Sequence, residues 1–254
     1  MPISAIARSE IEQAATRNGF PIDPEPRGDW LLLRSPWTRH ELLAGHDGDV
    51  YLVATFSGLI AQEMAGFPCL TAPAEGTRAV FLAENAGALH ELVQRLYQLA
   101  HSLPPEPLEA FEAKTRDLPR TTEAERLVVQ RIGQDVFRES LMEYWNARCP
   151  LTGIDQPELL RASHIKAWAA CESDRERLDV HNGLLLAAHL DAAFDTHLIS
   201  FSDDGGLLVS PRMSEKARIA LRLDEIPILD LLRARHREYL AIHRAKFQQK
   251  GAQA

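Results

Sequence analysis

Residues 149–202 read CPLTGIDQPELLRASHIKAWAACESDRERLDVHNGLLLAAHLDAAFDTHLISFS, and their pattern predicts the fold at the centre of the C-terminal half of the chain. Residues 160–165 and the apolar residues 183–186 have the length of short strands. A polar segment separates them, and a helical pattern begins near Ala187. The order strand, loop, strand, helix predicts a compact ββα unit.

Two carboxylates share one face of the predicted helix. Asp191 and Asp195 are four residues apart, which places them about one turn from each other. Like charges at this spacing repel each other, and carboxylate oxygens are preferred ligands of hard divalent cations. The pair therefore indicates a divalent-metal site. The alternative, that both residues only stabilise the start of the helix through its dipole, stays open.

The ordered combination of LLRASHI, NGLLL, LDAAFD and LISF resembles the HNH nuclease motif, the ββα-metal finger, in a bacterial subgroup of that family. The similarity covers 54 of the 254 residues. It implies a metal-dependent endonuclease in which His164 is the general base that activates water. It also implies that Asn182 fixes the loop and the imidazole orientation, or contacts the metal, and that Asp191 and Asp195 are metal ligands.

The sequence departs from the commonest HNH pattern at two positions. Ser163 precedes the base where many members have an aspartate or histidine ligand, and Asp191 stands where many have histidine. A carboxylate in place of an imidazole makes the site harder, which favours Mg²⁺ or Mn²⁺ over Zn²⁺. Because serine is a poor ligand, the full ligand set stays open.

Hydrolysis of a phosphodiester requires a deprotonated water and neutralisation of the phosphate charge. His164 suits the first task, because an unperturbed imidazole pKa of about 6.5 leaves the ring an effective proton acceptor near pH 7. Arg161 and Lys166 flank it on the first predicted strand. We predict that these two cations bind neighbouring phosphates.

Charge is unevenly distributed along the chain. The formal net charge of −8 excludes a generally basic DNA-coating protein, so nucleic-acid contacts require a local patch. Residues 211–254 sum to +5, whereas residues 1–130 sum to −7 and residues 131–210 to −6. We predict that the DNA backbone is contacted by Arg233, Arg235 and Arg237. The alternative is a solvated helix face, the commonest use of such runs.

The cysteine content and the hydropathy of the sequence indicate the cellular compartment of the protein. Three scattered cysteines without a CxxC pair provide neither a disulfide framework nor a zinc ribbon, and they favour a reducing interior. No apolar run reaches the length of a membrane span. Glu10 interrupts the N-terminal stretch before a signal-peptide core could form. We therefore predict a cytoplasmic protein that does not contact membranes.

The remaining sequence predicts a separate N-terminal domain. Its helices are expected at 1–20 and 86–103, and its strands at 30–33, 50–56 and 79–83. A proline cluster then extends the chain and marks a linker at 104–122, with an ordinary surface loop as the alternative.

The predicted fold class is α+β, in two domains. The first is a small α+β domain of unknown family at 1–103. The second is an HNH nuclease domain at 123–254, in which a helix at 123–147 and largely helical residues 217–249 surround the ββα-metal finger.

The favoured function is metal-dependent hydrolysis of DNA phosphodiester bonds in restriction or phage defence. The N-terminal domain would then recognise the target or regulate the nuclease. Two alternatives remain: a nucleic-acid-binding protein with a decayed HNH site, and a sensing protein whose nuclease acts only with a partner. Homodimerisation, and a protein or small-molecule activator bound by the N-terminal domain, also stay open.

Overall fold

The structure is a computed structural model that describes residues 3–70 and 76–252. The chain divides into two compact units, Met1–His101 and Ser102–Ala254. Both mix helices with antiparallel strands, so the predicted α+β class is confirmed. The predicted domain boundaries at 103 and 123 stay a prediction, and the ends they include, at 1–2 and 253–254, lie outside the described residues.

The N-terminal unit is built on an antiparallel meander of five strands in the order β1-β2-β3-β4-β5. Its elements are α1 (Ala5–Arg17), β1 (Ile22–Arg27), β2 (Trp30–Arg34), β3 (Leu42–Asp47), β4 (Val50–Thr55), α2 (Gly58–Glu63), β5 (Ala79–Ala83) and α3 (Ala86–Ser102). All three predicted strands and both predicted helices are present. Strands β1 and β3 were not predicted. The two prolines of β1 are tolerated because β1 is an edge strand.

A row of apolar side chains holds this sheet together. Leu32 pairs with Leu43, Leu43 with Ala54, and Ala54 with Val80, so one buried row crosses four strands. Cross-strand neighbours on one face pack directly against each other. The N-terminal unit therefore has an apolar core of its own.

The segment 104–122 is not extended, contrary to the sequence expectation. It contains helix α4 (Glu106–Thr115), in which Pro107 lies in the first turn. A proline is tolerated there because the first turn needs no amide donor at that position. Phe111 and Thr115 of this helix are buried. The proline cluster was interpreted as a break in helical structure, but it lies at the start of α4.

The C-terminal unit contains the predicted ββα arrangement within helices. Its elements are α5 (Glu123–Tyr144), β6 (Leu160–His164), α6 (Asp174–Arg177), β7 (Gly183–Ala187), α7 (Ala188–Asp195), β8 (Ile199–Phe201), β9 (Leu207–Val209), α8 (Glu215–Ala220) and α9 (Ala234–Gly251). A capping box of Thr122 and Glu125 begins α5. Strands β6 and β7 pair antiparallel, and His164 lies opposite Gly183.

Close approach of α5 to this hairpin depends on Gly183. A Cβ atom there would lie 2.6 Å from Cζ of Phe137 and 2.8 Å from Cδ1 of Leu141, both on α5. Such distances are well inside normal van der Waals contact. The glycine thus allows α5 to pack against the strand pair at the position opposite His164.

Candidate active site

His164 ends strand β6, and its imidazole packs toward α5. The ring stacks on Phe137 at 3.7 Å between centroids, with 21° between the planes. Trp168 meets it edge-on at 5.5 Å. On the remaining side, Nε2 lies 2.9 Å from the carbonyl oxygen of Arg177. These contacts fix the position and orientation of the imidazole.

The hydrogen bond to Arg177 determines which ring nitrogen of His164 can accept a proton. A carbonyl oxygen only accepts, so Nε2 carries the hydrogen and Nδ1 carries the lone pair. Within the described ranges, no hydrogen bond reaches Nδ1. Burial lowers the pKa of His164 to about 4, against the smaller opposing effect of the bond to Arg177. The ring is therefore neutral at pH 7, with Nδ1 as its proton-accepting atom.

Asn182 joins the hairpin to the loop between its strands. It is fully buried. Its Oδ1 accepts from the backbone N–H of Lys166 at 2.7 Å, and its Nδ2 donates to the carbonyl oxygens of Lys166 at 3.2 Å and Glu176 at 3.1 Å. The Glu176 carbonyl belongs to the peptide adjoining Arg177. Asn182 thereby orients the backbone that binds the imidazole of His164, although its predicted part in catalysis stays a prediction.

Arg177 has a role that the sequence did not reveal. Its guanidinium donates to the carbonyl oxygens of Cys171 at 2.6 Å and Trp168 at 3.3 Å, and to Oδ1 of Asp174 at 2.9 Å. The side chain thus orders the loop while its own carbonyl accepts from His164. A backbone acceptor carries no side-chain signature, so no sequence motif could have pointed to this contact.

Asp191 and Asp195 lie on α7 as the spacing predicted. Partial burial and the neighbouring charge of Asp191 both raise the pKa of Asp195. On β6, strand alternation places the side chain of Ser163 on the face opposite His164. Ser163 is 2% exposed, and its Oγ has no hydrogen-bond partner among residues 3–70 and 76–252.

These oxygen donors suit a hard divalent cation, because a cation would relieve the repulsion between the two carboxylates. In the described part of the chain, however, no three or more histidine, cysteine, aspartate or glutamate side chains are grouped to hold a metal. Asp191 and Asp195 alone would therefore form an incomplete site. The remaining ligands would have to be oxygens of another kind, such as a hydroxyl, water or substrate phosphate.

Two predicted phosphate-binding residues flank the base, Arg161 within β6 and Lys166 two residues after it. Nζ of Lys166 forms an ion pair with Glu176 at 2.6 Å, and both side chains are largely buried. Arg161 is exposed and donates to the carbonyl oxygens of Glu158 at 2.8 Å and Leu160 at 2.9 Å. Their binding to nucleic acid stays a prediction, and Arg161 is the more accessible of the two.

The predicted basic run lies at the start of α9. Arg235 forms an ion pair with the buried carboxylate of Asp179. Nε of Arg237 donates to the carbonyl oxygen of Asp203 at 2.7 Å. The backbone N–H of Arg233 donates to Nδ1 of His236 at 3.1 Å. DNA binding by these arginines stays a prediction, and part of their hydrogen-bonding capacity is used within the protein.

Asp179 anchors α9 to the hairpin and was missed by sequence reasoning. It is fully buried, and Oδ1 accepts from the ring Nδ1 of His181 at 2.9 Å. Oδ2 accepts from Arg235 and from the hydroxyl of Tyr239, the latter at 3.1 Å. Burial alone would raise the pKa of Asp179, but His181 and Arg235 lower it below its usual value. The ionised carboxylate of Asp179 therefore connects α9 to the loop, three residues before Asn182.

Residues 149–202 match the model of the HNH endonuclease family. The match covers both hairpin strands, the loop between them and α7, and it defines an HNH endonuclease domain within this α+β chain. The HNH endonuclease family hydrolyses phosphodiester bonds in nucleic acids and generally uses a divalent metal. A comparison of the chain with curated proteins found no match. No helix of the described residues is long and apolar enough to cross a membrane.

Proposed function

We propose that this protein is a metal-dependent endonuclease that cleaves DNA, with His164 as the general base. The observation that carries the proposal is the bond from Nε2 of His164 to the Arg177 carbonyl, at 2.9 Å. It leaves Nδ1 as the only proton-accepting atom of a neutral ring. A general base requires this protonation state, and the HNH match supplies the reaction class.

In the proposed mechanism, Nδ1 of His164 accepts a proton from the attacking water. The Arg177 carbonyl stabilises the imidazolium that forms, because its hydrogen bond favours the charged ring. Stacking on Phe137 holds the ring plane fixed throughout. Asn182 acts indirectly, since it orients the loop backbone on which this carbonyl lies.

Asp191 and Asp195 would hold the metal, with substrate phosphate oxygens completing its ligands, and Mg²⁺ or Mn²⁺ fits such oxygen donors better than Zn²⁺. When bound, a divalent cation neutralises charge on the scissile phosphate and stabilises the leaving oxygen. The spacing of Asp191 and Asp195 on one face of α7 supports this assignment, because a cation between them would relieve their mutual repulsion. Arg161 would bind an adjacent phosphate.

We further infer a role in restriction or phage defence, inside the cytoplasm, for the full chain. The support is architectural: the N-terminal unit has its own sheet and apolar core. Such a unit can recognise a target or regulate the nuclease without contributing to the HNH hairpin. Residues 1–103 and 123–254 remain our proposed domains, with 104–122 as the connection that contains α4.

A partner-activated or decayed site is the second candidate. It is favoured by Ser163 at the position where many HNH proteins have a ligand. A second observation also favours it: among the described residues, no three acidic, histidine or cysteine side chains lie close enough together to hold a metal. In that case the purified protein would bind nucleic acid but require a partner for cleavage, or not cleave at all.

The decisive experiment incubates purified protein with modified and unmodified plasmid in Mg²⁺, Mn²⁺, Ni²⁺ or EDTA. We expect cleavage with Mg²⁺ or Mn²⁺, none in EDTA, and a loss of about 10²-fold to 10⁴-fold in His164→Ala. His189→Ala is the matched control, because His189 is exposed on α7 and has no part in the mechanism. Cleavage by His164→Ala at the wild-type rate would overturn the mechanism. Cleavage that appears only when cell extract is added would favour the partner-activated alternative.

A further inference from the structure

A second group of cations lies on the C-terminal unit, away from the arginines at the start of α9. Lys246 and Lys250 are four residues apart on α9, and Arg212 precedes α8. All three side chains are exposed. We call these three residues the α9 cation cluster.

Ring stacking connects this cluster to the end of α7. The buried ring of His243 on α9 stacks on Phe194 of α7 at 3.9 Å and 3°, and on His197 at 4.5 Å and 4°. Hydrogen bonds from Ser200 and to the Phe194 carbonyl hold His243 at both ring nitrogens. Nζ of Lys250 lies 3.3 Å from Nδ1 of His197. The cluster therefore lies beside the α7 terminus that carries Asp195.

The positive charge of the cluster is not compensated within the described chain. Among residues 3–70 and 76–252, none of its three members forms an ion pair with a carboxylate. By contrast, Arg244 on the same helix pairs with Asp203, and Arg235 pairs with Asp179. A Cβ atom built on Gly251, next to Lys250, would lie 3.7 Å from Cδ of Pro211, next to Arg212, so the end of α9 and the segment before α8 are close together.

The α9 cation cluster favours the binding of an anionic ligand. Lys246 and Lys250 lie on the helix face that also carries His243, so both side chains leave the same side of α9. The attraction between exposed charges extends over about 10 Å at 0.1 M salt, which is enough for several cations to act on one phosphate. A linear chain of phosphates that enters near Asp195 would meet the cluster next.

We propose that the α9 cation cluster binds the nucleic-acid backbone at phosphates neighbouring the one that is cut. This inference rests on the proposed nuclease function and assigns part of its substrate-binding surface. It places that surface at the α7 end of α9, in addition to the predicted contacts of Arg233, Arg235 and Arg237 at the other end of the helix.

A purely structural role is the competing explanation, because a cation near the C-terminus of α7 also interacts favourably with the helix dipole. The two roles differ in their salt dependence. Each lost phosphate contact reduces the slope of log K against log salt by about 0.9, whereas a structural lysine leaves that slope unchanged.

The test measures binding of labelled duplex DNA to the full chain by fluorescence anisotropy, in EDTA and across a range of KCl concentrations. For Lys246→Gln/Lys250→Gln we expect a slope smaller by about 2 and an affinity about 60-fold lower at 0.1 M salt. Lys246→Arg/Lys250→Arg, which keeps both charges, should bind like the wild type. Lys114→Gln/Arg116→Gln is the control, since it removes two exposed positive charges at the C-terminal end of α4, where Lys114 pairs with Glu139.

An unchanged slope in the glutamine variant, or an equal loss in the α4 control, would overturn the inference. Stronger competition with DNA by inorganic phosphate than by KCl at equal ionic strength would also overturn it, because that result indicates a site for free phosphate. If the wild type cleaves DNA and only the slope prediction fails, the proposed function stands. If the wild type neither binds nor cleaves, both proposals fail.

Discussion

Acidification should destabilise the C-terminal unit through two buried histidines. Burial lowers the pKa of His164 to about 4 and that of His243 to about 4, from an ordinary value of 6.5. The folded state therefore holds both rings neutral at a pH where the unfolded chain protonates them. The stability that this provides is complete above pH 6.5 and is lost as the pH falls toward 4.

The size of the effect follows from linkage. A shift from 6.5 to about 4 corresponds to about 3 kcal/mol for each ring once protonation is complete. Between pH 8 and pH 5, each ring should remove about 2 kcal/mol from the free energy of unfolding. The two contributions should add, because His164 stacks on Phe137 while His243 stacks on Phe194, with no shared partner.

Urea denaturation at pH 8, 6.5 and 5 measures the effect. The background Trp30→Phe/Trp37→Phe leaves Trp145 and Trp168 as fluorescent reporters in the C-terminal unit. His164→Gln removes the titrating ring while its amide can still donate to the carbonyl that Nε2 reaches. That variant should lose about 2 kcal/mol less stability than its parent between pH 8 and pH 5.

His243→Gln should behave in the same way, whereas His189→Gln, a change at an exposed position, should leave the pH dependence unaltered. NMR titration of the imidazole Cε1–H signals gives the individual pKa values directly. A pKa of His164 near 6.5 would refute the reasoning, because the ring would then be hydrated rather than packed between α5 and the loop. An undiminished pH dependence in His164→Gln would refute it equally.

Three further predictions concern the framework around the base, each with its own control. Asn182→Ala removes the bonds that fix the loop, so cleavage in a plasmid assay should fall more steeply than thermal stability; wild-type cleavage would exclude a positioning role. Gly183→Ala forces a Cβ against α5 and should cost about 1–3 kcal/mol in urea denaturation, whereas Gly58→Ala, with open space around it, should cost less than about 0.5 kcal/mol; equal effects would contradict the packing argument. Asp179→Asn removes a buried carboxylate charge that His181, Arg235 and Tyr239 contact and should cost about 1.5–3 kcal/mol, against at most about 1 kcal/mol for the exposed Asp203→Asn; equal effects would show that the charge of Asp179 contributes little to stability.

The HNH hairpin could be predicted because its signals are local. The two short strand segments, the polar loop between them and the helix pattern all lie within 54 residues, and each element depends on its own residues. Asp191 and Asp195 share a helix face for the same reason. Strand β1 was missed because its prolines argue against a strand, and only its place at the sheet edge makes them acceptable. Helix α4 was missed because the proline cluster was taken as a break in helical structure.

Contacts between residues distant in sequence could not be predicted. Arg235 was predicted to bind DNA from the charge of its neighbours, which stays a prediction, and its ion pair with a buried carboxylate 56 residues earlier has no signature in the sequence. Charge counts along the chain do not show which cations are already paired. The +5 sum over residues 211–254 counts all these cations alike, whereas the structure separates the paired residues of α9 from the α9 cation cluster.

The HNH motif identifies His164 as the base but does not show which contacts orient its ring or lower its pKa. Its two determinants are a backbone carbonyl on Arg177 and the aromatic face of Phe137, and neither is part of the motif residues that suggested catalysis. The low pKa follows from the same packing, because the contacts that fix the ring also remove its water. A base with a pKa of about 4 is neutral at every physiological pH but is a weaker acceptor than an exposed imidazole. His164 would therefore depend on a divalent cation for charge neutralisation at the phosphate, and Asp191 and Asp195 on α7 would hold that cation, so EDTA should abolish cleavage.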